Sequence, residues 1–457
     1  MKIDNISIKG SLSNRLLKGG KWAATGKLLR SFSGLAVNAL LARLLAPDSL
    51  GIYFLLLSVS TLLSIVARAG MDIVIVRFSS EYLTSNQPER VGSLLIRAYT
   101  LVSVGILIVA VAYWSLGGRL AAGWFGAPDF DSFNMLCIFW LTALSCQFIL
   151  AETFRGIHQT PIAVLLDGVI STTVNCVLFS AVWLVYGELS IVSAIQITLS
   201  SLVVAVLIGI YLIVPVLRQK PDAMPRSYPE LWSVGWPQII STIALFNLSQ
   251  AAVLLLGVFQ APAAVAIYVT ALKLMIVIRL PQFVVNAVIP PIIVELNTLG
   301  NKDKLERLLR GVTSLAFFAS ASVCVIYLIF GEEILALVYG ETYREGYWIL
   351  VVLSIGQAIN VGVGSCGKVL ALTGNQQVLM VIAVMTLIVS IATGVGLVGR
   401  YGGEGVAMAF SVGVIFQSGT ALIMARRRSG IWTHIILVPS ELMAAISFMK
   451  KKLVKNS

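Results

Sequence analysis

Residues 51–78 read GIYFLLLSVSTLLSIVARAGMDIVIVRF. The stretch opens with an uncharged, mostly large and apolar run that shows no period-2 alternation. A helix needs about 20 such residues to cross a bilayer, and this run with its continuation supplies them. Yet Arg68, Asp72 and Arg77 follow in the same stretch, and a charge at bilayer depth costs about 2.5–3.5 kcal/mol on insertion scales. The segment therefore points to a membrane helix and leaves its charges to be explained.

The rest of the chain supports the same solvent. Of 457 residues 58% are hydrophobic and only 12% charged, with a mean hydropathy of +0.92, whereas an average soluble protein is about 25% charged. Apolar ranges of spanning length occur at 22–45, 50–76, 94–116, 134–154, 162–186, 190–214, 234–258, 265–293, 308–330, 347–368, 378–399 and 404–425. They are too long for barrel strands, and an open sheet cannot cross lipid, so the expected fold is an all-α polytopic bundle of about 12 transmembrane helices.

The net charge of +12 is explained by topology and not by nucleic acid. Basic residues crowd the N-terminal segment, the even-numbered loops and the tail, where they number 24, while the odd-numbered loops hold only Arg43, Arg119, Arg344 and Arg400. The positive-inside rule then places both termini in the cytoplasm. The first apolar run contains Lys27 and Arg30 and is too long for a signal-peptide core, so an uncleaved helix is expected. Cys137, Cys146, Cys176, Cys324 and Cys366 all fall inside predicted spans without paired spacing, which suits packing residues.

An offset near 215 residues recurs. APDSLGIY (46–53) answers APAAVAIY (261–268), and Tyr186-Gly187 answers Tyr401-Gly402. The charged connections 81–97 and 295–310 also correspond. An even number of spans per copy gives two parallel six-helix repeats around a central cavity. The expected organisation is a basic cytoplasmic N-terminus (1–20), a first half (21–215), a Pro-rich cytoplasmic linker (216–230), a second half (231–425) and a basic tail (426–457). The apolar-then-basic segment 431–449 reads as an amphipathic interfacial helix, with a further span as the alternative.

Inside the spans, Lys27, Arg30, Ser31, Gly34 and Asn38 share one arc of the first helix at about 100° per residue. Thr61, Ser64, Arg68 and Asp72 share one arc of the second, with Arg68 and Asp72 at the i, i+4 spacing that lets side chains meet. The eighth span carries Lys273, Arg279, Gln282 and Asn286 around Pro281, which is expected to kink it. Gln238, Ser241, Thr242 and Ser249 mark the seventh, and Gln357, Asn360, Gly364 and Lys368 the tenth. Lipid rejects such stripes, so they face one another or a water-filled cavity. Set against Asp72 and Asp167, the cations Lys27, Arg30, Arg68, Lys273 and Arg279 would make that cavity positive and suited to an anion. Snorkelling of Lys27 and Arg30 to headgroups is the plainer alternative, as is a structural ion pair for Arg68 with Asp72.

The segment LLARLLAPDSLGIYFLLLSVSTLLSIVARAGMDIVIVRFSSEYL (40–83), with the turns YGELSIVSAIQ (186–196) and YGGEGVAMAF (401–410) and the six-plus-six plan, resembles the polysaccharide-export flippases. These O-antigen-type translocases belong to a superfamily that also holds multidrug and toxin extruders. The resemblance covers nearly all of the chain. It implies a multi-pass protein of the bacterial cytoplasmic membrane that flips a polyprenyl-pyrophosphate-linked oligosaccharide to the outer leaflet by alternating access. Possible partners are the polymerase or chain-length components of such a pathway, and a monomer is expected. Asp72 and Asp167 are candidate groups for a coupling ion, H+ or Na+, with no cofactor or metal otherwise called for.

Three other classes compete, of which a channel fits the two-fold repeat less well than alternating access does. An enzyme acting on the same lipids needs positioned acids, bases or metals, but the only histidines are His158 and His434, and HExxH, CxxC and GxSxG elements are absent. A cation-coupled drug exporter on the same fold needs buried carboxylates, whereas the first span carries Lys27 and Arg30 and no carboxylate.

Overall fold

A computed structural model describes residues 12–85, 87–126, 128–217 and 227–436, and these form an α-helical protein without strands. Helix α1 runs Leu12–Leu44, α2 Pro47–Ala67, α3 Met71–Thr84, α4 Glu89–Ala112 and α5 Gly118–Phe125. Then come α6 Asn134–Gly156, α7 Thr160–Val164, α8 Ile170–Val185, α9 Ile191–Leu217 and α10 Tyr228–Phe259. The remainder comprises α11 Pro262–Leu274, α12 Ile276–Thr298, α13 Lys302–Tyr339, α14 Tyr347–Val363, α15 Cys366–Leu372 and α16 Gln376–Ser429. Among the described residues 9 of the helical stretches are long and apolar enough to cross a membrane. The protein is a multi-pass membrane protein.

Helix α16 explains part of the difference from twelve expected spans. Its 54 residues would extend about 81 Å if straight, far beyond a hydrocarbon core of about 30 Å. At Gly402 (φ 50°, ψ −127°) the backbone leaves helical geometry, a conformation glycine adopts without the Cβ penalty. The two lengths pack antiparallel: Ile382 clusters with Ala421 and Ala425, and a Cβ on Gly394 would lie 3.6 Å from that of Ala409.

Three other breaks correct the sequence expectations. The run 50–76 is not one helix. It turns at Arg68–Gly70, where Ala69 (φ 53°) and Gly70 (φ 72°) are left-handed, so the arc drawn through Thr61, Ser64, Arg68 and Asp72 ends at Ala67. In the tenth range Gly364 (φ 85°) stops α14. Lys368 therefore lies on α15, off the stripe of Gln357 and Asn360. The bend expected at Pro281 falls earlier, at Met275 between α11 and α12, and α12 runs on through Pro281.

Contacts divide the chain into two compact units, Met1–Phe246 with Gly257–Ala266, and Asn247–Leu256 with Ile267–Ser457. The first is centred on Met71, Phe78, Leu94, Phe154 and Ile213. Tyr53 is fully packed there, its hydroxyl 2.8 Å from Thr198 Oγ1 and its ring 5.2 Å from that of Trp140. The two copies of the repeated turn meet within this unit. Asp48 Oδ1 accepts from the Ala263 amide at 3.2 Å, and the Pro262 carbonyl fills the space a Cβ on Gly51 would need. The second unit has a core of Ile289, Ile293, Leu305, Leu309 and Val369.

Residues Ile431–Ile436, which begin the expected interfacial helix, are not helical. They dock on the second unit instead, where the Ile435 amide donates to the Gly362 carbonyl at 2.9 Å and the Ile436 amide to Ser314 Oγ at 2.9 Å. The rest of that segment, the first eleven residues and most of the linker lie outside the described residues. So do the side chains of Gln238, Ser241 and Ser249.

A charged cluster at a helix break

A further break lies in LLDGV (165–169). Here the chain makes a π-helical turn, and Asp167 (φ −69°, ψ 26°) and Gly168 (φ 111°, ψ −5°) leave helical geometry. An interrupted helix leaves carbonyls without their usual partners, and side chains take them up. Buried Gln147 of α6 donates from Nε2 to the Leu166 carbonyl at 2.8 Å and to Ser171 Oγ at 3.0 Å. Thr172 Oγ1 donates to the Gly168 carbonyl at 2.5 Å. Arg30, from α1, hydrogen-bonds the Asp167 carbonyl through Nη1. Gly168 makes room for it: a Cβ there would stand 2.8 Å from Arg30 Nε and 2.9 Å from Cζ.

The same Arg30 Nη1 lies 3.3 Å from Asp167 Oδ1. On the other carboxylate oxygen, Oδ2, stands Arg155 Nη2 at 3.4 Å, and Arg155 is also ion-paired with Glu152 one turn back on α6. All three partners are partly exposed, with side-chain exposures of 44% for Arg30, 40% for Arg155 and 34% for Asp167. Their heads converge on one another from two helices and a break. Arg68 is deeper. Its side chain is 6% exposed, Nε lies 3.3 Å from Asp72 Oδ2 and the guanidinium sits 4.6 Å from the centre of the Phe148 ring. Arg30, Asp167, Arg155 and Glu152 are thus linked in one chain of ion pairs, and Arg68 with Asp72 forms a second pair.

Glu152 and Arg155 are absent from the sequence-based site, although their i, i+3 spacing in AETFRG at the end of a predicted span is a visible signal. The glycine after Asp167 within an apolar run likewise marks a break. Lys27 stands on the exposed side of α1, its carbonyl accepting from Ser31 Oγ at 2.8 Å. Asn38 is buried and donates to Gly34 on its own helix at 2.5 Å.

In the second unit Lys273 and Arg279 are half-buried. The Arg279 guanidinium lies 5.2 Å from the Phe283 ring centre. Asn286 accepts from Ser365 at 2.8 Å, Asn360 donates to Gln357 at 3.2 Å and accepts from Ser418 at 2.5 Å, and Gln282 is buried. Bonds such as Asn360 with Ser418 tie one helix to another. Among the described residues no group of three His, Cys, Asp or Glu side chains could hold a metal.

The multi-pass α-helical fold is similar to those of solved MOP superfamily proteins. It is similar to the lipid II flippase MurJ in an inward closed conformation, with 14% identity over 92% of this chain and 89% of that one at a TM-score of 0.71. An inward-facing multidrug resistance MATE family transporter of the MOP superfamily gives 14% over 88% and 94%, TM-score 0.68. A MOP superfamily transporter from Pyrococcus furiosus, described as having a binding pocket of reverse polarity, gives 15% over 94% and 98%, TM-score 0.58. Among curated proteins none matches. The chain belongs to the polysaccharide biosynthesis protein family, whose profile matches residues 16–297.

Proposed function

We propose that the protein is a translocase that moves a polyprenyl-pyrophosphate-linked oligosaccharide from the cytoplasmic to the outer leaflet by alternating access, for cell-surface polysaccharide assembly. The observation that carries this reading is the partly exposed pair Arg30 and Arg155, aimed from two helices at one anionic group. Guanidinium groups hold carboxylate and phosphate oxygens in the same forked manner. The family assignment supports a glycan as the remainder of the cargo.

In this account Lys27, Arg30, Lys273 and Arg279 provide the cationic character of the pathway, with buried Arg68 held by Asp72, while the lipid tail stays in the bilayer. Asn38, Gln282, Asn286, Gln357 and Asn360 supply its polar character. Asp72 and Asp167 are the groups that would carry a coupling H+ or Na+. The two six-helix halves, joined by the linker 216–230, rock to change the open side, with both termini in the cytoplasm as the charge distribution favours.

The test is leaflet exchange in vesicles holding the purified protein and a fluorescent polyprenyl-pyrophosphate oligosaccharide. Protein-dependent exchange is expected. No exchange, together with proton-driven efflux of an organic cation such as ethidium, would replace this reading with a drug exporter.

A further inference from the structure

The arginine pair is already occupied by an anion, the protein's own. We infer that the Asp167 carboxylate holds the seat of a substrate diphosphate and is displaced by it, an inference that rests on the anion-transport reading above. Each arginine has two attachments, one private and one shared. Arg30 is tied to the Asp167 backbone carbonyl, which the helix break leaves available, and Arg155 is tied to Glu152. What they share is the carboxylate of Asp167, one on each oxygen.

Withdrawing that carboxylate leaves both guanidiniums anchored and directed at a single place. The shared contacts are also the loose ones. At 3.3 and 3.4 Å they exceed the 2.7–2.9 Å of tight charge-assisted bonds, and the carboxylate is a third exposed. A diphosphate brings more charge and more acceptor oxygens than one carboxylate, so it competes for the same two forks. Asp167 then performs a second service. When cargo leaves, it returns to the arginines and neutralises them, so the empty carrier need not reorient with bare cations at membrane depth.

Binding of inorganic pyrophosphate to the full chain in lipid nanodiscs tests this directly. Asp167→Asn should bind pyrophosphate about tenfold more tightly than the unaltered protein, Asp167→Glu should bind as the unaltered protein does, and the gain should vanish when Arg30→Gln and Arg155→Gln are added. Equal or weaker binding by Asp167→Asn, no binding by any form, or a gain that survives loss of both arginines would overturn displacement.

If Asp167→Asn fails to accumulate, carbodiimide labelling of the unaltered protein decides. Saturating pyrophosphate should at least double modification of Asp167, and unchanged or reduced labelling overturns the inference. The tenfold gain in a protein that exchanges no lipid-linked glycan in vesicles would leave displacement standing and remove the flippase reading instead.

Discussion

Arg68 and Asp72 face each other across a break in the membrane helix, Nε to Oδ2 at 3.3 Å, with Arg68 closing α2 and Asp72 in the first turn of α3. The stretch that opened the sequence analysis keeps its charges because the chain turns there. A cation at a helix C-terminus and an anion at an N-terminus both sit favourably in the helix dipoles, and the pair neutralises itself. Removing either partner strands a buried charge.

Arg68→Ala or Asp72→Ala should therefore lower thermal stability by about 3–5 kcal/mol and reduce accumulation. The exchange Arg68→Asp with Asp72→Arg keeps the pair but reverses both dipole interactions and loses the Phe148 contact. It should rescue less than half of that loss, read by thermal unfolding in detergent. Full rescue would show that neither helix end distinguishes the two signs.

Gly168 is predicted to be intolerant for two reasons that act together. Its φ of 111° is strained for any other residue, at about 1–3 kcal/mol, and a Cβ would push on Arg30. Gly168→Ala should lose both stability and glycan exchange. Gly123→Ala, where a Cβ meets nothing within 4 Å, should change neither.

The docked segment Ile431–Ile436 should respond to acid. His434 Nε2 lies 3.4 Å from Arg310, its ring packs on Trp432 at 5.1 Å, and Glu306 holds both Arg310 and Arg426 nearby. Burial, and next the Arg310 charge, push the imidazole below its ordinary range, against a smaller opposing effect of Glu306. The released segment therefore binds a proton more readily than the docked one. Docking is fully favourable above an ordinary His pKa of about 6.5 and weakens as pH falls through it. Protection of the amides at 431–436, taken relative to the intrinsic exchange rate at the same pH, should be lower at pH 5 than at pH 7.5, and His434→Gln should abolish the difference. Equal protection at both pH values in the unaltered protein would remove His434 as the cause.

The helical membrane fold and the positions of most spans were legible because apolar runs of bilayer length have few alternative explanations. What stayed hidden was local geometry. Nothing in the hydropathy of 50–76 or 347–368 announces that Gly70 and Gly364 take positive φ, so stripes extended through them at 100° per residue ran past the helix ends. The site was half legible. Arg30, Arg68, Asp72 and Asp167 stand out as charges in oil, but their pairing does not, because Arg30 and Asp167 are 137 residues apart. Arg155 reads as a loop cation until α6 is seen to carry it back toward Asp167.

The central claim is that Arg30 and Arg155 read the anionic group of the cargo. The most direct measurement compares leaflet exchange of two lipids bearing the same oligosaccharide, one through pyrophosphate and one through an uncharged glycosidic link to the same polyprenol. The account predicts that the pyrophosphate lipid exchanges at least about a hundredfold faster, and that Arg30→Gln with Arg155→Gln removes the difference by slowing the charged lipid alone. Equal rates for the two lipids in the unaltered protein, or a preference that outlives both arginines, would contradict it.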